Sequence, residues 1–269
     1  GSGELDNGMN VAISFVLDQG DNETDVSGAA APFDSHSVTI SSDAMGTLKF
    51  HGEGGDSAQN AVGDTAAGNI WDNFDGKGGT KLVESRAGDN IIHYTLPSMV
   101  DDLTVAVSYT PAGATDSSDS AFALTYAGVE GLSVSYGKGS NDGQAVGSGG
   151  TTKDHDTTSM KASYVYGSVT VAYSDHENDN NTATSDQKAT AWKVSYTVSD
   201  AISVSYAQEE LDKNGTLETS DAEYTKVSTS YTSGGMTVSA NYQEADNTSY
   251  TTAKAEDFEY YGLSLSFAF

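Results

Sequence analysis

Apolar and polar residues alternate one by one along most of this chain. Residues 103–110 (LTVAVSYT), for example, put Leu, Val, Val and Tyr on one face and Thr, Ala, Ser and Thr on the other. A period of two is typical of a β-strand whose two faces meet different surroundings. Counted by this rule, the chain holds about fifteen strands, and we predict an all-β fold.

The connections between these strands alternate strictly between short and long. The long ones are 18–35, 53–88, 111–119, 137–158, 175–188, 209–222 and 244–255. In an up-and-down antiparallel sheet, every long connection then falls at one end of the sheet and every short turn at the other. Outer-membrane β-barrels have this asymmetry.

The residues on the two faces favour a transmembrane antiparallel β-barrel over a soluble β-sandwich. The polar face is mostly Ser, Thr, Ala and Gly. These residues suit a wide lumen, whereas a solvent-facing sheet normally carries more Lys and Glu. The apolar face ends in Tyr on strand after strand, as at a membrane interface. Charge is concentrated in the long connections.

One connection, 53–88, is longer than the others and follows no period. A structureless run of this length inside a compact fold is usually functional or disordered. We predict that it folds into the lumen and narrows the channel. The whole chain, 1–269, is then a single barrel domain with 53–88 as its constriction loop.

The composition excludes several classes of protein. The chain holds 39 acidic and 12 basic residues, which gives a net charge of −27. Nucleic-acid binding depends on Lys and Arg at the phosphates and is therefore not expected. Docking on an anionic lipid surface is disfavoured for the same reason. There is no Cys for a disulfide or thiolate metal site, and no run of about 18 apolar residues for a transmembrane helix.

Four stretches resemble the general (diffusion) porins of Gram-negative outer membranes. The chain ends on an alternating strand, GLSLSFAF at 262–269, which resembles the terminal porin strand. Residues 1–9 (GSGELDNGM) resemble an early strand and turn of those porins. Residues 46–50 (GTLKF) and 85–97 (SRAGDNIIHYTLP) resemble the strands that enter and leave the constriction loop.

This resemblance implies an integral protein of the bacterial outer membrane with about sixteen strands. It also implies a homotrimer in contact with outer-membrane lipids and lipopolysaccharide, with extracellular long loops and a periplasmic C-terminus. The constriction loop of such porins joins the fifth and sixth strands, whereas 53–88 joins our fourth and fifth. We therefore expect that the first strand of the barrel is missing from this sequence.

Parity along the strands predicts which charges face the lumen. Because Leu48 and Phe50 share the apolar face, Lys49 and His51 must point inward. The predicted basic side of the pore is Lys49, His51, Arg86, His93, Lys161, Lys193 and Lys226; the acidic side is Glu53, Asp56, Asp64, Asp72 and Asp75 on the loop. The two sides would create a transverse field. The alternative is a solvated charge for each residue or, for Arg86, an ion pair or carbonyl contact that holds the loop.

Aromatic and metal-ligating residues supply further candidates. Trp71 and Phe74 are predicted to anchor the loop on the wall, and Trp192 to lie at an interface or face lipid. No cofactor is expected. Weak binding of Ca²⁺ or Mg²⁺ is an alternative for the acidic loop residues Asp21, Glu23, Asp25, Asp175, Glu177 and Asp179. His155 and His176 match no zinc spacing and are expected in exposed loops.

The function predicted from the sequence is passive diffusion of small hydrophilic solutes and ions through a water-filled channel. The acidic excess predicts a mild preference for cations. A substrate-specific porin with saturable binding is the alternative, followed by a surface adhesin or structural β-protein. An enzyme is not expected, and no catalytic residue is assigned, because His51 and His93 sit in no nucleophile motif.

Overall fold

The computed structural model describes residues 1–17, 33–74, 87–112, 118–145, 152–180, 186–213, 220–250 and 257–268. Most of them lie in β-strands. In chain order the strands are β1 (Ser2–Glu4), β2 (Asn10–Leu17), β3 (Phe33–Ser42), β4 (Gly46–Glu53), β5 (Gly55–Asp56), β6 (Ala87–Gly88), β7 (Ile91–Thr95), β8 (Leu103–Thr110), β9 (Asp119–Val129), β10 (Leu132–Ala145), β11 (Thr152–Tyr166), β12 (Val169–Asn180), β13 (Gln187–Ser199), β14 (Ile202–Lys213), β15 (Ala222–Ser233), β16 (Met236–Asp246) and β17 (Phe258–Phe267).

Fifteen of these strands form one sheet, in which each strand pairs with the next along the chain and β4 pairs with β7. All of the pairings in this sheet are antiparallel. The all-β, up-and-down antiparallel fold predicted from the alternation is therefore confirmed. The strands β5 and β6 form a separate two-stranded sheet at the root of the long segment. Within the described ranges, no helix is long and apolar enough to cross a membrane.

The two faces of the sheet differ in exposure as the sequence predicts. In β8, Val107 and Tyr109 are 40% and 47% exposed, whereas the alternate residues Ala106 and Ser108 are 5% and 8% exposed. Apolar side chains thus point outward, and small or polar ones point to the covered face. The same alternation holds in β13 and β14, where outward-facing Trp192 packs on Tyr206 with ring centroids 5.3 Å apart.

The sheet is concave toward the long segment. The neighbouring residues Ala58 and Gln59 hydrogen-bond to Ser108 of β8 and Ser159 of β11, respectively. These strands are three positions apart in the sheet, a distance of about 14 Å if the sheet were flat. Two adjacent residues can bond to both strands because the sheet curves around them. The described part of the long segment therefore lies on the inner face.

The strands continue further than the alternation of apolar residues predicted. The predicted connections 137–158, 175–188, 209–222 and 244–255 each begin inside a strand, and β10 to β14 and β16 extend several residues into them. Those predicted boundaries were wrong because the criterion followed apolar residues. Polar residues pair equally well in a ladder once both faces meet water.

Outward-facing carboxylates mark the limit of the apolar belt at the long-connection end of the sheet. The hydroxyl of Tyr242 donates to Glu244 at 2.6 Å, and that of Tyr261 donates to Glu259 at 3.0 Å. Each glutamate is two residues nearer the long-connection end of its strand than the tyrosine that it binds. Rings with a polar tip are favoured where lipid meets water. At this end of the sheet, the outward apolar belt therefore ends between the tyrosine rings and the carboxylates.

Candidate pore constriction

Two short 3-10 helices, 58–62 and 70–74, build the part of the long segment that lies against the wall. The first packs on β8 to β11 and the second on β15 to β17. Gln59 is 3% exposed, and its amide joins two wall hydroxyls: it donates to Ser159 at 3.0 Å and accepts from Thr157 at 2.5 Å. The Ala66 amide donates to Ser174 at 2.7 Å. The segment is thus fixed to the inner face by directed hydrogen bonds.

Gly137 of β10 lets the first helix approach the wall closely. A Cβ atom built on Gly137 would lie 3.0 Å from Gln59 Cγ and 3.1 Å from Val62 Cγ2. Such distances are shorter than ordinary carbon contacts, which are optimal near 3.5–4.0 Å. A larger residue at this position would therefore push the helix into the lumen.

Glu209 of β14 holds the second helix. Its side chain is fully buried at 0% exposure. One carboxylate oxygen accepts hydrogen bonds from the Thr65 hydroxyl at 2.5 Å and the Ile70 amide at 3.3 Å. The other oxygen accepts one from the Trp71 amide at 3.3 Å. The carboxylate therefore satisfies backbone donors at the start of a helix, which no earlier turn can satisfy.

Sequence reasoning missed Glu209, because it was placed at the start of a predicted loop. The available signal was parity: Ser203, Ser205 and Ala207 share the inner face of β14, and position 209 continues that series. An acid on the inner face of an otherwise small and polar series could have been recognised in this way.

Trp71 and Phe74 anchor the loop, as predicted. Both are buried, and Phe74 lies against two wall rings: its centroid is 5.8 Å from that of Tyr224 and 6.5 Å from that of Tyr260. They belong to a cluster that includes alanines of four wall strands. Because the alanines are small, the aromatic rings of the loop can sit directly on the sheet.

The predicted basic residues fall into two groups on the wall. Lys49 and His51 lie on β4, and His93, directly opposite Lys49, lies on β7. Lys161, Lys193 and Lys226 lie on β11, β13 and β15. All six share the inner face by register or parity. Arg86 lies outside the described residues.

The predicted acidic residues are distributed along the loop. Asp56 lies within electrostatic range of His51 and His93, and Glu53 lies 4.0 Å from His36. The Asp64 carbonyl accepts a hydrogen bond from Lys161 at 2.8 Å. Asp72 is exposed on the second helix, and Asp75 is outside the described ranges. The structure thus brings Asp56 to the β4–β7 group and Asp64 to the β11–β15 group.

The candidate metal ligands Asp175, Glu177 and Asp179 do not lie in a loop. They lie on β12, and Lys188 contacts the first two at 3.0 and 2.7 Å. An ammonium group thus occupies the position between these carboxylates. No group of three His, Asp or Glu side chains suitable for a metal occurs in the part of the chain that the structure describes. Asp21, Glu23 and Asp25 lie outside it.

His155 and His176 are also not in exposed loops, contrary to expectation. They are 3% and 8% exposed on the inner faces of β11 and β12. A ring nitrogen of His176 lies 3.0 Å from the Ser159 hydroxyl, which also binds Gln59. Both histidines were misplaced for the same reason as Glu209, because the strands run beyond the apolar residues.

A family model described as Gram-negative porin matches residues 1–269, the whole chain. The chain belongs to the Gram-negative porin family. The resemblance inferred from the four short stretches is thereby confirmed. No curated protein matches this porin by sequence.

Solved porin structures share the fold of this porin at low sequence identity. The anion-selective porin from Comamonas acidovorans matches with a TM-score of 0.61 and 16% identity over 91% of this chain and 76% of its own. The Salmonella typhi OmpF complex with daunomycin matches with a TM-score of 0.63 and 12% identity over 90% of this chain and 80% of its own. A mutant of the Rh. blastica porin matches with a TM-score of 0.62 and 14% identity over 100% of this chain and 88% of its own. The curled sheet of this porin is therefore a porin-type β-barrel.

Proposed function

We propose that this porin forms a water-filled channel in the outer membrane for passive diffusion of small hydrophilic solutes and ions. The observation that carries the proposal is the long segment fixed on the concave face, where it narrows the space inside the barrel. Barrels of about sixteen strands leave an aqueous channel. Membership in a family of channels favours transport over catalysis.

The charges near the loop support a transverse field. Asp56, Asp64 and Asp72 belong to the loop, while Lys and His residues lie on the wall beside and beyond it. Dipolar solutes would be oriented in such a field. The net charge of −27 supports a mild preference for cations, because fixed negative charge concentrates them at the mouth.

The proposed orientation places the long connections outside the cell and the C-terminus in the periplasm. The tyrosine hydroxyls bonded to Glu244 and Glu259 support a membrane boundary at the long-connection end. Lipopolysaccharide and outer-membrane lipids would then contact the outward apolar belt and the acidic rim above it.

We propose a homotrimer that uses the outward faces of β2, β3 and β4. These three strands contain no Tyr or Trp, whereas most of the other long wall strands carry one on the outward face. A groove of about 760 Å³ lies there, lined by Ile13, Phe15, Val38, Phe50 and Ile92 among others. Lipid-facing belts are rich in Tyr and Trp, whose rings carry a polar tip that suits the membrane interface, so the absence of these two residue types supports a protein contact. Sedimentation in detergent should give the mass of three chains, and Phe50→Arg should reduce it to that of one. A wild-type monomer would disprove the assembly.

Removal of residues 60–79 tests the channel and its constriction. In planar bilayers, we expect the wild-type protein to form discrete conducting steps and the deletion to raise single-channel conductance severalfold, because the loop no longer fills the lumen. Removal of 181–185, between β12 and β13, is the matched control and should leave conductance nearly unchanged. Absence of conducting steps would refute the channel, and equal conductance of wild type and 60–79 deletion would refute the constriction.

A further inference from the structure

Two lysines and three serines form a compact polar array on the inner wall, on the short-turn side of the loop. Lys193 of β13 and Lys226 of β15 are both directly opposite Ala207 of β14. Their Cα atoms are therefore two strand spacings apart, about 10 Å. Ala207, which stands between them on β14, is small and belongs to the buried cluster under the loop.

The serines lie two residues further toward the short turns. Ser195, Ser205 and Ser228 are cross-strand partners in one row, each two positions from Lys193, Ala207 or Lys226. Positions i and i+2 of a strand share a face, so the hydroxyls point to the same side as the ammonium groups. The two lysines and the three serines are all partly exposed. The array thus presents two cations and three hydroxyl donors to the lumen.

The positive charge of this array is not cancelled by ion pairs. No salt bridge involves Lys193 or Lys226 in the described part of the chain. Lys193 lies within electrostatic range of both Lys161 and Lys226. The nearest inward carboxylate, Glu209, acts on Lys226, but its oxygens already accept three hydrogen bonds from the loop. Lys193 and Lys226 therefore make no contact ion pair, and an anion placed between these like charges would be attracted by both.

We propose that Lys193 and Lys226, with the hydroxyls of Ser195, Ser205 and Ser228, form a binding site for an oxyanion group of a passing solute. The inference rests on the proposed channel and adds saturable binding to it. Carboxylate and phosphate groups both fit, because each offers several oxygens to ammonium and hydroxyl donors in charge-assisted hydrogen bonds. Lysines that line a pore are a means of selecting such anions. A solute with a carboxylate and an ammonium group would also meet the acids of the loop.

Binding is tested by block of single-channel current. Succinate and inorganic phosphate, added separately in potassium chloride, should each produce concentration-dependent block or current fluctuations in the wild-type channel. The double variant Lys193→Gln/Lys226→Gln should raise the half-blocking concentration about tenfold, because charge-assisted bonds are lost. Lys193→Arg/Lys226→Arg keeps the charges and should retain block. Response to one anion but not the other would identify the group that the site accepts.

Two controls separate site binding from a general effect of charge. Lys138→Gln and Lys188→Gln each remove one charge from the outward face of the sheet. Both should leave the half-blocking concentration within about twofold of wild type. Equal loss of block in either control, or no saturation by either anion in the wild type, would overturn the site while leaving the channel proposal intact. If the wild-type protein forms no conducting channel, both the anion site and the channel proposal are refuted.

Discussion

The carboxylate of Glu209 joins the barrel wall to the loop through both of its oxygens. Its partners are one hydroxyl, of Thr65, and two backbone amides, of Ile70 and Trp71. A hydrogen bond to a charged group contributes about 1.5–3 kcal/mol, and a buried donor left without an acceptor costs about 1–3 kcal/mol. The position of the second loop helix therefore depends strongly on this single side chain.

Replacement Glu209→Gln tests that dependence. An amide has only one acceptor oxygen, so at least one of the three donors loses its partner, and the amide nitrogen then opposes a donor. We expect noisier open-channel current and a higher mean conductance, with the β-sheet content unchanged by circular dichroism. The neighbouring Glu210→Gln is outward-facing and exposed, and should behave as wild type. Identical current traces for Glu209→Gln and wild type would show that Glu209 does not hold the loop.

At the scale of single residues, the alternation of inward and outward positions along each strand was the most informative feature of the sequence. It placed Lys49, His51, His93, Lys161 and the other wall lysines on the inner face from the positions of their apolar neighbours. It did not extend to Glu209 or His176, because the apolar residues that define the faces end before them. The partners of a loop side chain were also beyond prediction, since residues such as Gln59 and Ser159 are a hundred positions apart.

Among the elements, β10 and the first loop helix fit together because β10 offers Gly137 at their contact. The replacement Gly137→Leu should displace this helix from the wall, since its Cβ alone would lie only 3.0 Å from Gln59. Overpacking of this kind costs about 1–3 kcal/mol. Displacement into the lumen should lower single-channel conductance, measured in the same bilayers.

The control for that replacement is Ala162→Leu. Ala162 lies on β11 opposite Val134 and Tyr173, on the outward face. An added isobutyl group there meets lipid and leaves the loop in place. Conductance equal to wild type in Gly137→Leu, or lowered equally in both variants, would show that the contact at Gly137 does not position the helix.

The strand ends at the long connections show why the boundaries of the strands were harder to predict than the strands themselves. Glu223 stands directly between Glu210 and Asp246, and Glu244 stands opposite Glu259. Like charges directly opposite each other destabilise a strand pair. Beside this row, partial burial and the negative charge of Asp212 raise the pKa of Asp221. Such rows are tolerated where water and counter-ions reach them, so the strands must extend beyond the apolar belt.

For the molecule as a whole, the order of short and long connections carried most of the information. It placed each strand beside the next and correctly located 53–88 between β4 and β7, so the up-and-down sheet could be predicted without any long-range contact. The path of the loop could not be predicted, because a segment without a period specifies no face. Its position is set instead by scattered wall residues on strands from β8 to β17.

The net negative charge of the molecule should attract cations over a distance that depends on the salt concentration. The Debye length is about 10 Å at 0.1 M salt and about 3 Å at 1 M. Acids on the rim and loops therefore influence the middle of the entrance only in dilute salt. Reversal potentials under the same concentration ratio of KCl should show cation preference near 0.1 M that largely disappears near 1 M. Lys188→Gln, which makes the rim more negative, should increase the preference at low salt only. Anion preference at low salt, or a preference that salt does not change, would mean that the lysines inside the barrel and not the acids at its mouth determine selectivity.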